Sequence, residues 1–257
     1  MKENLVPLAG RGQRFVNEGY KDPKPLIKVN GLPMVVTATR CLPKADSYTF
    51  LPLQEHIDNH HIDKVLKRYF KDAKIVPVKK LTEGQASTCL LAEGSIDPES
   101  ILTIGACDNG MTYDPHAFEE QINSPDTDAL IWTFRRNPNV LVNPTHWGWV
   151  KTDKKGFVKK VSVKVPISND PINDHAVVGC FSFKKARYFF ENAKEMVAAN
   201  RRINGEFYND ECMNVLVENG LKVKVFEIDK YIGWGTPNDL RTYLYWQEYF
   251  KKTNEKS

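Results

Sequence analysis

Apolar and polar positions follow two rhythms in the first half of the chain. Short apolar runs fall at residues 5–9, 48–53, 74–78, 101–106 and 129–134 and read as strands. Between them, residues 32–42, 55–70, 85–93 and 115–122 carry helical spacing. In the second of these stretches Ile57, Ile62, Val65, Leu66, Tyr69 and Phe70 share one face. This alternation predicts an α/β fold, a mostly parallel mixed sheet with helices on both faces. Ligands in such sheets bind beyond the carboxyl ends of the strands. The second half changes character. Residues 147–152 and 157–164 flank the turn Asp153-Lys154-Lys155-Gly156 and read as a β-hairpin. A strand at 176–183, a helix at 184–199, a block at 206–218, a strand at 222–228 and a helix from 237 to about 251 follow. No linker, repeat or low-complexity tract interrupts this order, so a single domain over 1–257 is expected.

The first strand runs into Gly10-Arg11-Gly12-Gln13-Arg14-Phe15, and Pro23-Lys24-Pro25 follows. Glycines let backbone N–H groups approach phosphate oxygens closely. Arg14 offers a planar fork and Lys24 a compact charge, held in place by its flanking prolines. The combination calls for a polyphosphate. It is not the dinucleotide fingerprint, which needs a third glycine where Phe15 stands, and no Gly-Lys-Ser/Thr of a P-loop occurs. Polar and aromatic residues continue through Asn17, Gly19 and Tyr20, so a mobile loop rather than a helix is expected here.

Composition narrows the classes further. A chain of 257 residues with 41% hydrophobic positions can bury a sizeable core. No apolar stretch approaches the ~20 residues of a membrane span. Met1-Lys2-Glu3-Asn4 leads straight into a strand without a signal-peptide core. The five cysteines are scattered, with no Cys-x-x-Cys pair, and read as reduced thiols of a cytoplasmic protein. A net charge of +4 suits small anions and argues against nucleic acid, which needs a concentrated basic face. Residues 251–257 read as a frayed polar tail.

Further blocks extend the N-terminal motif: Thr82-Glu83-Gly84-Gln85-Ala86, Cys107-Asp108-Asn109, Asn204-Gly205-Glu206-Phe207-Tyr208 and Gly235-Thr236-Pro237-Asn238-Asp239-Leu240. Together this ordered series resembles the sugar-phosphate nucleotidyltransferase superfamily. Over its whole length the chain is most similar to the CTP:phosphoglutamine cytidylyltransferases of capsule O-methyl phosphoramidate biosynthesis. The resemblance implies a single Rossmann-like domain of the GT-A type, with residues 1–130 as a nucleotide-binding half. Residues 131–250 would form an acceptor-binding half containing the β-hairpin. It implies Mg²⁺-dependent attack of an acceptor phosphate on the α-phosphorus of a nucleoside triphosphate, with release of pyrophosphate. CTP and L-glutamine phosphate are the favoured substrates, and a sugar 1-phosphate acceptor is the alternative. Homodimerisation is left open.

The resemblance assigns Arg14 to the leaving β- and γ-phosphates and Lys24 to the α-phosphate. Leu8, Ala9, Gly10, Gly12, Gly84 and Gln85 would surround the nucleotide, with Gln85 able to read a base edge. Asp108 would hold Mg²⁺, and an Asp-Asn-Gly turn is the competing structural reading. Relatives carry a second metal-binding aspartate where this chain has Gly233, leaving Asp210 and Glu211 as weak substitutes. Lys164, Glu206, Tyr208 and Arg135 would face the acceptor, with Arg136, Arg201 and Arg202 as further cations for a carboxylate. Sugar-using relatives carry a glutamate where this chain has Val163, which argues mildly against a hexose phosphate. His56 and His60 are expected to be solvated. Two other classes compete. Asp126-Thr127-Asp128 matches a glycosyltransferase Asp-x-Asp signature, although it precedes a strand instead of following one. A non-catalytic nucleotide-binding protein is the other.

Overall fold

A computed structural model describes residues 1–254; Glu255, Lys256 and Ser257, the end of the expected tail, lie outside them. The chain opens with β1 (Lys2–Leu8), α1 (Gln13–Asn17), the small pair β2 (Lys28–Val29) and β3 (Leu32–Pro33), and α2 (Met34–Arg40). Next come β4 (Ser47–Pro52), α3 (Gln54–His60), α4 (Ile62–Tyr69), β5 (Lys74–Ile75) and α5 (Gln85–Leu90). The middle holds β6 (Ile101–Ile104), β7 (Asn109–Thr112), α6 (Pro115–Asn123), β8 (Ala129–Phe134) and α7 (Asn139–Val142). The hairpin β9 (Gly148–Thr152) and β10 (Val158–Val163) precedes β11 (His175–Phe183), α8 (Ala186–Ala198) and α9 (Asn209–Glu218). β12 (Val223–Glu227), β13 (Lys230–Gly233) and α10 (Pro237–Asn254) complete it.

Nine strands of the described residues form one mixed sheet. β5, β4, β1 and β6 are parallel neighbours. β11 runs antiparallel between β6 and β8, and β12 lies parallel to β8 at the far edge. The β9–β10 hairpin attaches to the start of β11 through His175 and Ala176. Alternation along β1 sends Leu5 to one face and Val6 and Leu8 to the other, and each face anchors its own core. The first core takes Ala86, Cys89, Phe189, Met196 and Leu216 from α5, α8 and α9. The second takes Val35, Leu66 and Phe118 from α2, α4 and α6, together with Trp132. A third cluster joins Phe15, Ile27 and Met34 to Trp234 and Leu240, tying the glycine turn to the C-terminal block.

Five expectations are corrected. Residues 13–17 are helical rather than a mobile loop: Gly12 turns left-handed, its carbonyl accepts from Phe15 N at 2.8 Å, and Phe15 is buried. The helix expected at 55–70 is two helices, broken at His61 with φ +51°, which rephases the apolar face. That break turns His56 inward to 6% exposure, so it is not the solvated histidine its spacing suggested. Residues 251–254 continue α10 instead of fraying. The strand expected at 74–78 is regular only over Lys74–Ile75. Beyond it Val76 N and Val78 N still donate to the Phe50 and Pro52 carbonyls at 2.9 and 2.8 Å. Pro77 lies between them on the edge of the sheet, where its missing N–H costs no bond to β4.

Candidate active site

β1 and β6 end side by side, and their following loops supply the first charged groups. Gly12 has φ +62°, and a Cβ there would lie 2.7 Å from Cβ of Lys24. The glycine is therefore needed twice, for its turn and for the close passage of the lysine. Lys24 opens a single turn, Lys24–Leu26, with Pro23 ahead of it and Leu26 N bonded to the Pro23 carbonyl at 2.8 Å. Its Nζ reaches Asp108 Oδ2 at 2.7 Å. Burial alone would pull the lysine's pKa down. The Asp108 carboxylate more than offsets this and holds the ammonium above its ordinary value.

Asp108 leaves β6 and enters β7, so the Asp-Asn-Gly sequence makes a strand start and not a free turn. β7 pairs with β13, bringing Gly233 opposite Asn109, and Trp234 N donates to the Asp108 carbonyl at 2.8 Å. A Cβ on Gly235 would stand 2.9 Å from Asp108 Oδ2, so the bare glycine makes room for the carboxylate.

These groups line one cavity of about 1160 Å³. Gly12, Arg14, Lys24, Asp108, Lys164, Tyr208 and Asp210 all line it, and Arg14 is near enough to both lysines to oppose their charge. Its floor includes Val177, Val178 and Gly179, where β11 bulges against β8. Tyr243 and Trp246 of α10 complete the wall. Lys164 closes β10 in a left-handed conformation, φ +63°, with Nζ bonded to the His146 carbonyl at 2.5 Å and 5.8 Å from the Tyr208 ring. Burial lowers its pKa, and nearby Asp210 partly restores it. Burial and the Glu206 carboxylate push the Tyr208 phenol up to about 12.

The other expected residues lie outside this lining. Leu8 and Ala9 are buried at the end of β1, and Gly10 is exposed. Gly84 packs on the segment around Phe207: its Cβ would sit 2.6 Å from Phe207 N, which donates to the Glu83 carbonyl at 2.7 Å. Ala86 N in turn donates to the Phe207 carbonyl at 3.0 Å, so the loop carrying Gln85 is stapled to the segment carrying Glu206 and Tyr208. Arg135 does not reach the cavity; its guanidinium is bidentate on Glu227 at 2.9 and 2.7 Å. Arg201 pairs with Glu211, and Arg202 with Glu83 at 2.9 Å over the Phe207 ring. Val163 is buried and lines a separate pocket between β10 and α9. Its side chain therefore does not line the main cavity.

Asp126 and Asp128 sit before β8, at the sheet edge opposite the cavity. Asp126 pairs with Lys224 at 2.8 Å, and Asp128 accepts from Lys222 N at 2.8 Å. Both carboxylates are structural fasteners for β12. Glu211 is likewise occupied by Arg201 and Asn214. Asp239 closes a capping exchange with Thr236 at the start of α10. No group of three His, Cys, Asp or Glu side chains suited to a metal occurs among the described residues. Asp108 still fits Mg²⁺, which commonly relies on one or two carboxylates plus substrate phosphates.

Sequence reasoning missed Gly148, the β11 bulge and the α10 aromatics. Only the bulge carried a local signal, a lone glycine inside an apolar strand at Val177-Val178-Gly179-Cys180.

The architecture is that of nucleotidyltransferases of known structure. The nucleoside-diphosphate-sugar pyrophosphorylase from Vibrio cholerae RC9 superposes with a TM-score of 0.74 at 20% identity, covering 94% of this chain and 99% of its own. The inositol-1-phosphate CTP transferase from T. maritima gives 0.72 at 18% identity, covering 95% of this chain and 94% of its own. No protein-family model and no curated relative matches the chain.

Proposed function

We propose that this protein is a nucleotidyltransferase that joins a nucleoside triphosphate to a phosphorylated small molecule and releases pyrophosphate. The observation that carries the reading is Lys24, largely buried and 2.7 Å from Asp108 in a cavity that Arg14 and Lys164 also line. An acceptor phosphate oxygen attacks the α-phosphorus, and the bond to the α–β bridging oxygen breaks. Such transfers depend on alignment and charge neutralisation. Arg14 grips the departing β- and γ-phosphates. Lys24 neutralises charge at the reacting phosphorus. Lys164 holds the incoming phosphate, with Tyr208 as its wall and Glu206 behind that phenol. Leu8, Ala9, Gly10, Gly12, Gly84 and Gln85 frame the nucleotide. Mg²⁺ on Asp108 would neutralise triphosphate oxygens.

CTP is the favoured nucleotide and L-glutamine phosphate the favoured acceptor, in modification of a capsule or surface polysaccharide. The motif series supports this choice, and so does likeness of fold to a CTP transferase. The test is pyrophosphate release with Mg²⁺, crossing four ribonucleoside triphosphates with L-glutamine phosphate and a panel of sugar 1-phosphates. Turnover with CTP and L-glutamine phosphate alone is expected. A hexose 1-phosphate as the good acceptor would return the protein to sugar activation, and nucleotide binding without turnover would overturn the enzymatic reading.

A further inference from the structure

Asp210 is a carboxylate of the cavity with no salt bridge and no side-chain hydrogen bond among the described residues. A backbone N–H and the more distant Lys164 are what favour its charge. Asp108 is held by Lys24, and Asp239 by Thr236. Among the described residues no cation stands within 4.0 Å of Asp210, and no other side chain donates to it. Its slot is built for it. A Cβ on Gly148 would lie 2.1 Å from Asp210 Oδ2 and 3.0 Å from Val177 Cγ2, so the carboxylate rests against a bare Cα between β9 and β11. Burial pushes its pKa up to about 6 from an ordinary 3.8, and Lys164 only partly relieves this. A charge kept there at neutral pH costs stability, so an ionised group in this slot wants a partner from outside the chain.

The neighbouring cation sharpens the chemistry. Lys164 faces the same part of the cavity, but its Nζ is tied to the His146 carbonyl. A positive and a negative group thus present themselves near one another, each easing the other's charge but without a direct ion pair. That lining complements a molecule carrying an anion and a cation a few ångströms apart. A phosphate alone would be repelled by the carboxylate.

We infer that Asp210 is a specificity-determining residue that receives the protonated amine of the acceptor, so that the acceptor class is a phosphorylated molecule bearing an ammonium group. The inference rests on the nucleotidyl-transfer reading above. Lys164 meets the acceptor phosphate, and Asp210 accepts a charge-assisted hydrogen bond from the ammonium. The rest of the acceptor lies between them along Tyr208 and the bare Cα of Gly148.

The test compares pyrophosphate release from CTP with L-glutamine phosphate and with the same phosphoramidate lacking its α-amino group. The unaltered enzyme is expected to prefer the amine-bearing acceptor by about tenfold to a hundredfold in kcat/KM, mostly through KM. Asp210→Asn should shrink that ratio at least tenfold, and Asp210→Glu should restore part of it. Equal use of both acceptors by the unaltered enzyme overturns the inference and needs no variant to fold. An unchanged ratio in a folded Asp210→Asn protein, checked by CTP calorimetry, overturns it too. Failure of the underlying reading looks different: no nucleotide and acceptor pair would release pyrophosphate at all, and the inference would fall with it.

Discussion

Lys24 Nζ and Asp108 Oδ2 stand 2.7 Å apart, although 84 residues separate them in the chain. The pair joins the loop after β1 to the loop after β6, and each side chain is more than two-thirds buried. Neither charge would be tolerated there alone. In the proposed reaction each has another duty, Lys24 toward the reacting phosphate and Asp108 toward the metal. The ion pair holds both in place until substrate arrives. Replacing Lys24 by Ala should lower kcat by about a hundredfold or more, because preorganised charge at the reacting phosphorus is lost. Steady-state pyrophosphate release measures this, and near-normal turnover would remove Lys24 from the chemistry.

Asp108→Asn keeps the shape and removes the charge. The Mg²⁺ concentration giving half-maximal rate should rise by about an order of magnitude, since a hard cation loses its carboxylate ligand. A titration of rate against Mg²⁺ that superposes on that of the unaltered protein would place the metal elsewhere.

Gly12→Ala tests the geometry rather than the charge. Its left-handed backbone and the 2.7 Å approach of a new Cβ to Lys24 both oppose the substitution. The left-handed penalty is about 1–2 kcal/mol, which in a chain of this size lowers Tm by roughly 2–6 °C. Displacement of Lys24 should also cost activity beyond what this small loss of stability explains. Full activity in a protein that melts a few degrees lower would mean that Lys24 is not positioned through this contact.

Asp210 makes a prediction about stability and pH. Its folded pKa, about 6, lies above the ordinary 3.8 because burial disfavours the carboxylate. The folded state therefore holds its proton more tightly than the unfolded one. Its favourable contribution is present below about pH 4 and is lost as pH rises through about 6. Asp210→Asn should then stabilise the free protein by roughly 1–3 kcal/mol at pH 8 and hardly at all at pH 3.5. Urea unfolding at the two pH values checks it, and a gain independent of pH would rule out the buried charge as its cause.

Much of this site was legible along the chain. The glycine turn, Lys24 between its prolines and Asp108 after an apolar strand were all readable, and the cavity gathers Gly12, Arg14, Lys24, Asp108, Lys164 and Tyr208. Arg135 and Val163 were not legible as what they are. An arginine on a strand end and a valine at a hairpin end look the same in sequence whichever way they point. Here one is claimed by Glu227 and the other is turned toward α9. His56 misled for a similar reason, because the helical phase carried across His61 does not survive its left-handed backbone.

The sequence by itself determined the alternation of strands and helices, the parallel sheet and the kinds of charge delivered at the strand ends. Those features depend on periodicity and local backbone preference, which neighbouring residues carry among themselves. Only the tertiary structure decided which charges meet. Lys24 found Asp108, Asp126 found Lys224, and Asp210 was left facing Lys164 against the bare Cα of Gly148. Pairings of this kind are set by where packed elements bring distant side chains, and by glycines whose missing Cβ atoms leave room for them.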